Sequence, residues 1–340
     1  MAASDERDAR LGAFPPGPVP DTVAAVVLTF RRRRLAGDVV RSLMEVEGFD
    51  PARIVVVVNG DGGLDDPSLE ERVQMHRLPE NRGPAAGFAE GLRIAFSDPT
   101  IEWAYLCEDD VGLFSLPGHR VADVLARTKA AATTEGSPAR ARQSDSKGIG
   151  AVVAYGRRFT RHGGHTENTV TPPWTSFGLG PVDVACWGAT LVRRQVVASG
   201  IVPDPEWFFG YEDFDFFCRV RAGGFLVLVD TVAAAAVADE QTSQGRALAL
   251  GDDRPVDGAE AWRAYYVARN FFTFARRHGR PSWIAWHLAY SVRRLQLARG
   301  RGERAAYLRG LVDGFRGRLG RNPHFLSTQG ELPGPETTSS

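Results

Sequence analysis

Lysine is nearly absent from this 340-residue chain. Lys129 and Lys147 are its only two, and arginine supplies the rest of the 41 basic residues. The 41 acids balance them to a formal net charge of zero, so no global basic field gathers nucleic acid or anionic lipid, and nucleic acid is not expected as a partner. Cysteine is scarce too. Cys107, Cys186 and Cys218 are odd in number, far apart and form no CxxC pair, which argues against a disulfide scaffold and against a zinc cluster. No apolar run approaches the roughly 18 residues that a membrane-spanning helix needs. The N-terminal stretch MAASDERDARLGAFPPGPVP has no signal-peptide h-region, so a cytoplasmic location is the expectation. Three motifs are missing as well. Without GxGxxG at the first helix, GxxxxGK[ST] or GxSxG, the chain is a poor candidate for a Rossmann dehydrogenase, a P-loop NTPase or a nucleophile-elbow hydrolase.

What is present reads as strands alternating with helices. Val23–Phe30 (VAAVVLTF) and Ile54–Val58 (IVVVV) are short apolar runs of buried-strand length. Between them, Leu35–Glu47 has helical spacing, with Leu35, Val39, Leu43 and Val46 on one face. Val73–Leu78 and Glu102–Cys107 read as further strands. Asn81-Arg82-Gly83-Pro84 opens a helix that runs to about Ala95, with Pro84 suited to the first turn. This alternation predicts an α/β fold with a doubly wound, mostly parallel sheet, whose ligands bind beyond the carboxyl ends of the strands. Thr29, the Asn59–Gly63 turn, Asn81–Gly83 and Glu108–Asp110 all fall at such ends. Downstream, Gly150–Tyr155, Val182–Val192 and Leu226–Val237 read as strands, Glu212–Ala222 as a helix, and 258 to about 319 as helical. The expected organisation is a disordered leader (1–21), a catalytic domain (22–257) with a flexible insertion (127–146), a helical region (258–320) and a loose tail (321–340).

Two acid clusters carry the chemistry. In YLCEDDVGLF, Glu108, Asp109 and Asp110 sit between apolar residues at a strand end. Adjacent carboxylates repel unless a cation is near, and such a loop suits a hard divalent ion, Mg or Mn, that can bridge a diphosphate. A solvated acidic turn is the bland alternative. In WFFGYEDFDFFCRVR, Glu212, Asp213 and Asp215 lie among seven aromatics. Acids in a first helical turn are favoured by the dipole alone. The sharper reading is a carboxylate in an apolar pocket, with a raised pKa, acting as a general base.

The order of these motifs is more specific than any one of them. A first strand ending in Thr, then VVNG, NRGPAAGFAEG, a DxD-like CEDD, and WGATLVRR…GYEDFDFFCRVRAGG resembles the family-two inverting glycosyltransferases of GT-A fold. The likeness is to the bacterial rhamnosyl- and galactofuranosyltransferase branch and covers about Val23 to Phe274. The resemblance implies a GT-A-type sheet with a helical C-terminal extension. It also implies a metal-dependent hexosyl transfer from a dTDP- or UDP-sugar to a glycan, lipid-linked or small-molecule acceptor, as in cell-wall or polysaccharide synthesis. Thr29, Asn59 and Asp61 would contact the nucleotide, and Asn81 and Gly83 would close over it. Glu108 and Asp109 would face the donor. Asp110 would ligate the metal, with Asp239 (or Glu240) standing where many relatives have a His. Asp213 would be the catalytic base, with Arg219 in a supporting role, paired with an acid or a phosphate, and with Trp187, Gly188, Glu212 and Asp215 on the acceptor side. The chain departs from the family at Arg31, where Asn is common. WRAYYVARNFF, with Tyr265, Tyr266, Arg269 and Asn270, resembles the helix that follows the catalytic domain.

A nucleotidyltransferase is a weaker reading, because TFRRRRLAG lacks the Gly-rich, Lys-bearing loop. A sugar-nucleotide-binding protein with degenerate catalysis is the non-enzymatic one. His162 and His165 (RHGGHT) read as a surface turn near the acceptor. Arg31–Arg34 could face phosphates or solvent. The aromatic and Arg-bearing helices around Trp283–Gly300 fit packing on the catalytic domain or contact with the inner face of a membrane. A homo-oligomer is left open.

Overall fold

The computed structural model describes residues 19–109, 120–142, 146–160, 166–168, 172–235, 261–279, 281–298 and 300–326. The apolar runs become the centre of an eight-stranded sheet. Its strands are β1 (Val23–Thr29), β2 (Ile54–Asn59), β3 (Gln74–Leu78), β4 (Trp103–Glu108), β5 (Ile149–Val153), β8 (Leu179–Pro181), β10 (Thr190–Arg193) and β11 (Leu226–Asp230). They lie in the order β3-β2-β1-β4-β10-β5-β11-β8. A smaller three-stranded sheet, β7-β6-β9, is made from β6 (Gly156–Phe159), β7 (Thr166–Asn168) and β9 (Val184–Ala185). Strands β3, β2, β1 and β4 are parallel, β10 runs against both its neighbours, and β8 runs against β11. The expected α/β sheet, mostly parallel in its first half, flanked by helices and followed by a helical extension, is the fold observed.

β1 and β2 are buried along their whole length, as continuous apolar strands covered on both faces must be. Alternate residues feed two cores. Val23, Ala25 and Val27 join one, and Ala24, Val26 and Leu28 the other. The second core is closed by helix α2 (Pro84–Ala95), with α1 (Arg33–Ser42) on the opposite face. A Cβ on Gly87 or Gly91 would stand 2.3 Å from a Leu28 methyl or 2.2 Å from a Val26 methyl, so glycine lets α2 sit directly on β1.

Several elements differ from expectation. The helix after β1 does not continue in one register. It passes into a π-type turn over Leu43–Glu47, whose wider step rotates the face. Val46 is therefore 44% exposed, while Glu47 turns inward and accepts the Val121 amide at 2.8 Å; Leu35, in the regular part of the helix, is 40% exposed at the edge of its buried face. Residues 127–146, expected to be a flexible insertion, are largely ordered. Helix α3 (Val121–Thr133) buries Arg127, Thr128 and Ala131, and a short helix follows at Pro138–Ala141. Arg127 makes a two-pronged ion pair with Asp230 at 3.1 and 2.5 Å. Val182–Val192 is divided by turns between β9 and β10. After β11 the chain turns helical at 231–235 rather than continuing as a strand.

The helix α4 (Glu212–Ala222) matches its expected bounds. The C-terminal region forms α5 (Ala261–His278), α6 (Pro281–Leu297) and α7 (Arg301–Phe315). Part of the expected loose tail is packed. The Asn322 amide N–H donates to the Tyr266 hydroxyl at 2.8 Å, and Phe325 stacks on Tyr265 with centroids 4.1 Å apart. The tail beyond residue 326 and most of the expected leader lie outside the described residues.

Candidate active site

The carboxyl ends of β1, β2 and β4 are tied together by their own polar side chains. Asp109 is buried just past β4. It accepts the Thr29 hydroxyl at 2.8 Å and the Phe30 amide at 3.3 Å, and Arg32 pairs with its other oxygen at 3.1 Å. A protein cation therefore answers one charge of the EDD cluster. Asn59, buried at the end of β2, donates to the Gly83 carbonyl at 3.0 Å and accepts the Arg82 amide at 2.9 Å. Asn81 accepts the Gly83 amide at 2.9 Å. Gly83 has φ 85°, and a Cβ there would stand 2.0 Å from the Phe208 carbonyl oxygen. Only glycine lets this loop pass under the segment leading to α4. Asp61 is exposed and pairs with Arg31 at 3.3 Å. The expected nucleotide contacts Thr29 and Asn59, and the expected donor-side Asp109, thus use these side-chain groups to shape the loops.

The second acid cluster begins with a strained turn. Gly210 and Tyr211 both have positive φ, 77° and 70°, and α4 starts at the next residue. Tyr211 carries a side chain in this left-handed region, a conformation that persists only when its surroundings hold it. Asn270 of α5 supplies part of that hold. It is fully buried, and its amide donates to the carbonyls of Phe209 at 2.6 Å and Gly210 at 3.0 Å.

This turn presents Glu212 and Asp213 to the end of β4. Burial pushes Asp213 up to about 6, while the Phe214 amide at 2.7 Å, Arg157 and the Cys186 thiol pull it down. Burial drives Glu212 well above the carboxylate range, and the charges of Asp213 and Glu108 raise it further. Glu212 Oε2 has no hydrogen-bond partner among the described residues. Burial carries the Cys186 thiol to about 12, with Asp213 the next cause. Glu108, Arg157, Cys186, Glu212 and Asp213 therefore form one electrostatic group. Within it, burial favours the protonated form of Glu212 and raises Asp213 toward neutral pH.

Asp215 does not join this group, although it was expected on the acceptor side. Two residues along a helix is about 200° of rotation, which carries it to the other face. There it is fully buried among His278 at 2.8 Å, Arg219 at 2.8 Å and Arg277 at 3.4 Å. The acid that Arg219 pairs with is thus Asp215. Trp187 is buried between α2 and α4, its ring 4.9 Å from Phe88 and 5.5 Å from Phe216, and Gly188 forms the turn after it with φ 99°.

Asp110, Asp239, Glu240, His162 and His165 lie outside the described residues. Among the described residues no three His, Cys, Asp or Glu side chains are grouped to hold a metal. Both Asp109 oxygens are engaged, so the described acids do not by themselves make a Mg or Mn site.

Comparison with protein-family models and with curated protein sequences returns no match. Among solved structures, the chain is similar to the crystal structure of A197 from STIV, with a TM-score of 0.30 and 12% identity over 61% of this chain and 82% of that one. It is similar also to a crystal structure of GalNAc-T7 with UDP, GalNAc and Mn2+, with a TM-score of 0.40 and 12% identity over 80% of this chain and 57% of that one. Likenesses this distant carry no argument about the chemistry of this chain.

Arg157 and Cys186 were not singled out from the sequence. Arg157 stands in β6, paired with Val184 of β9, and β9 leads directly into Cys186. The signal available was the YGRRF doublet after a buried strand and the Cys next to Trp187-Gly188. Neither pattern is specific without the small sheet that joins them.

Proposed function

We propose that the chain is an inverting glycosyltransferase that moves a sugar from a nucleotide-diphosphate donor to an acceptor hydroxyl. The observation that carries the reading is Asp213 in the first turn of α4, raised by burial to about 6, beside Glu212, which burial also raises and which senses the charge of Glu108 at the end of β4. A base should have a pKa near the working pH and should be ionised while its neighbour is not. The ordered motif set and the gathering of loops at the strand ends support the nucleotide-sugar donor.

In this reading Asp213 accepts the proton of the acceptor hydroxyl as its oxygen attacks the anomeric carbon. The bond from that carbon to the diphosphate breaks, and its electron pair leaves with the nucleotide. A single in-line displacement inverts the configuration. Arg157 keeps Asp213 ionised and adds positive charge near the departing diphosphate. Burial favours the protonated form of Glu212, which would donate to a sugar or acceptor oxygen. Mg or Mn would neutralise the leaving diphosphate. Asp110 and Asp239 are the ligands proposed for it.

The test is thermal shift against nucleotides and nucleotide sugars with and without Mn, followed by transfer assays. A shift with UDP or dTDP that needs Mn is expected, as ligand bound to the folded state raises the melting temperature. Asp110→Ala should lose the Mn-dependent shift. Asp213→Asn should keep it and lose transfer. No shift with any nucleotide would overturn the reading, and equal loss of binding in both variants would overturn the division of roles.

A further inference from the structure

The C-terminal helices reverse the charge balance of the rest of the chain. Residues 261–326 contain fourteen arginines and two acids, Glu303 and Asp313, while the whole chain is neutral. Both acids face inward: α7 buries Glu303, Ala306, Tyr307, Gly310, Asp313 and Gly314. Its outward face carries Leu308, Val312 and Phe315, exposed at 49%, 45% and 73%. Arg301, Arg304, Arg309 and Arg316 are exposed on the same helix. At about 100° per residue, the three apolar side chains fall within about 60° of arc. Arg304 lies on one flank of that stripe and Arg309 and Arg316 on the other, with Arg301 at its N-terminal end.

We propose that this outward face of α7 docks on an anionic lipid bilayer, with Leu308, Val312 and Phe315 entering the headgroup boundary and the flanking arginines meeting lipid phosphates. Apolar centre, cationic flanks and no outward acid are the pattern of an interfacial helix, in which long arginine stems let the charge reach the headgroups. Charge complementarity selects the occupant. A second copy of this face would set arginine against arginine with no acid to answer it. Nucleic acid would not reward an outward Phe that is almost three-quarters exposed. On α6, Leu288 and Val292 are exposed at 47% and 59% about 40° apart, so this extension carries a second, smaller exposed apolar patch. Docking does not depend on the transferase reading.

The experiment is co-sedimentation of the full-length chain with phosphatidylcholine vesicles and with vesicles containing phosphatidylglycerol. The chain should pellet with the anionic vesicles, stay in solution with the neutral ones, and be released at roughly 1 M salt, where the Debye length is about 3 Å. Leu308→Ser with Phe315→Ser, and separately Arg301→Gln with Arg316→Gln, should each lower partitioning roughly tenfold or more. Both variants change exposed side chains, and unchanged thermal melting establishes that they fold. Equal or absent pelleting with the two vesicle types overturns the proposal. So does unaltered binding by the folded variants, a salt-resistant dimer that the α7 substitutions dissolve, or capture of nucleic acid without capture of vesicles.

Discussion

Asp213→Asn separates the electrostatic cost of the proposed base from its chemical use. Burial moves this carboxyl from an ordinary 3.8 to about 6, or about two pH units, and each unit corresponds to about 1.4 kcal/mol. The sign follows from linkage. The folded-state pKa lies above the unfolded one, so the stabilising contribution is full below about 4 and is lost as pH rises through 6. Above that the folded chain holds an ionised carboxylate at a cost approaching 3 kcal/mol. Asn has the same shape, can accept the Phe214 amide, and carries no charge. Asp213 keeps some access to solvent, so the expected gain is about 1–3 kcal/mol at pH 7.5. At pH 5 the gain is roughly half that, because only part of the titration lies below. For a chain of this size the gain at pH 7.5 corresponds to roughly 2–6 °C in melting temperature. The assay is thermal unfolding of both proteins at the two pH values, with transfer measured in parallel. A variant that melts lower at pH 7.5, or gains equally at both pH values, would refute the argument that a buried charge is being removed. A more stable variant without transfer is the pattern expected where function is held at the expense of stability.

Three further outcomes follow from contacts described above. Gly83→Ala places a Cβ 2.0 Å from the Phe208 carbonyl at φ 85°, so chemical denaturation should show a loss of about 3 kcal/mol or more, with donor-induced thermal shift abolished. Asn270→Leu leaves the Phe209 and Gly210 carbonyls without their amide donor. It should cost roughly 2–4 kcal/mol in urea unfolding and reduce transfer more than donor binding, because α4 starts at the turn they hold. Asp230→Asn strands the buried Arg127 guanidinium and should cost about 3–5 kcal/mol, while Asp230→Leu combined with Arg127→Met should recover most of it.

The sequence showed local patterns well and distant pairings poorly. VAAVVLT and IVVVVN read as buried strands because a parallel strand covered on both faces is apolar at every position. Pro84 and Ala95 bounded a helix in sequence and in structure alike. Helix α3 was missed because RTKAAATTEG has little apolar content. Its packing relies on an ion pair from Arg127 to Asp230, 103 positions away, and no local window contains that pair. The same limit explains Asp215. Its partners Arg277 and His278 lie on α5, more than 60 residues on, so the spacing DxxxR within α4 showed only Arg219. In the candidate site, Glu108, Glu212 and Asp213 were legible as acids in unusual apolar settings. Arg157 was not, because its significance comes from a three-stranded sheet whose strands are two to four residues long.

The boundary drawn near residue 257 is a boundary of composition, and the forces that hold the turn before Asp213 cross it. Asn270 bonds to that turn, and Arg277 and His278 supply two of the three side-chain partners around Asp215. The helical extension is therefore part of one cooperative unit with the sheet, and heating should give a single transition seen alike by tryptophan fluorescence and circular dichroism. A chain ended at 257 would keep every acid of the proposed site in its sequence, yet Asp215 would be a buried carboxylate facing Arg219 alone, and Gly210 and Tyr211 would lose their tether.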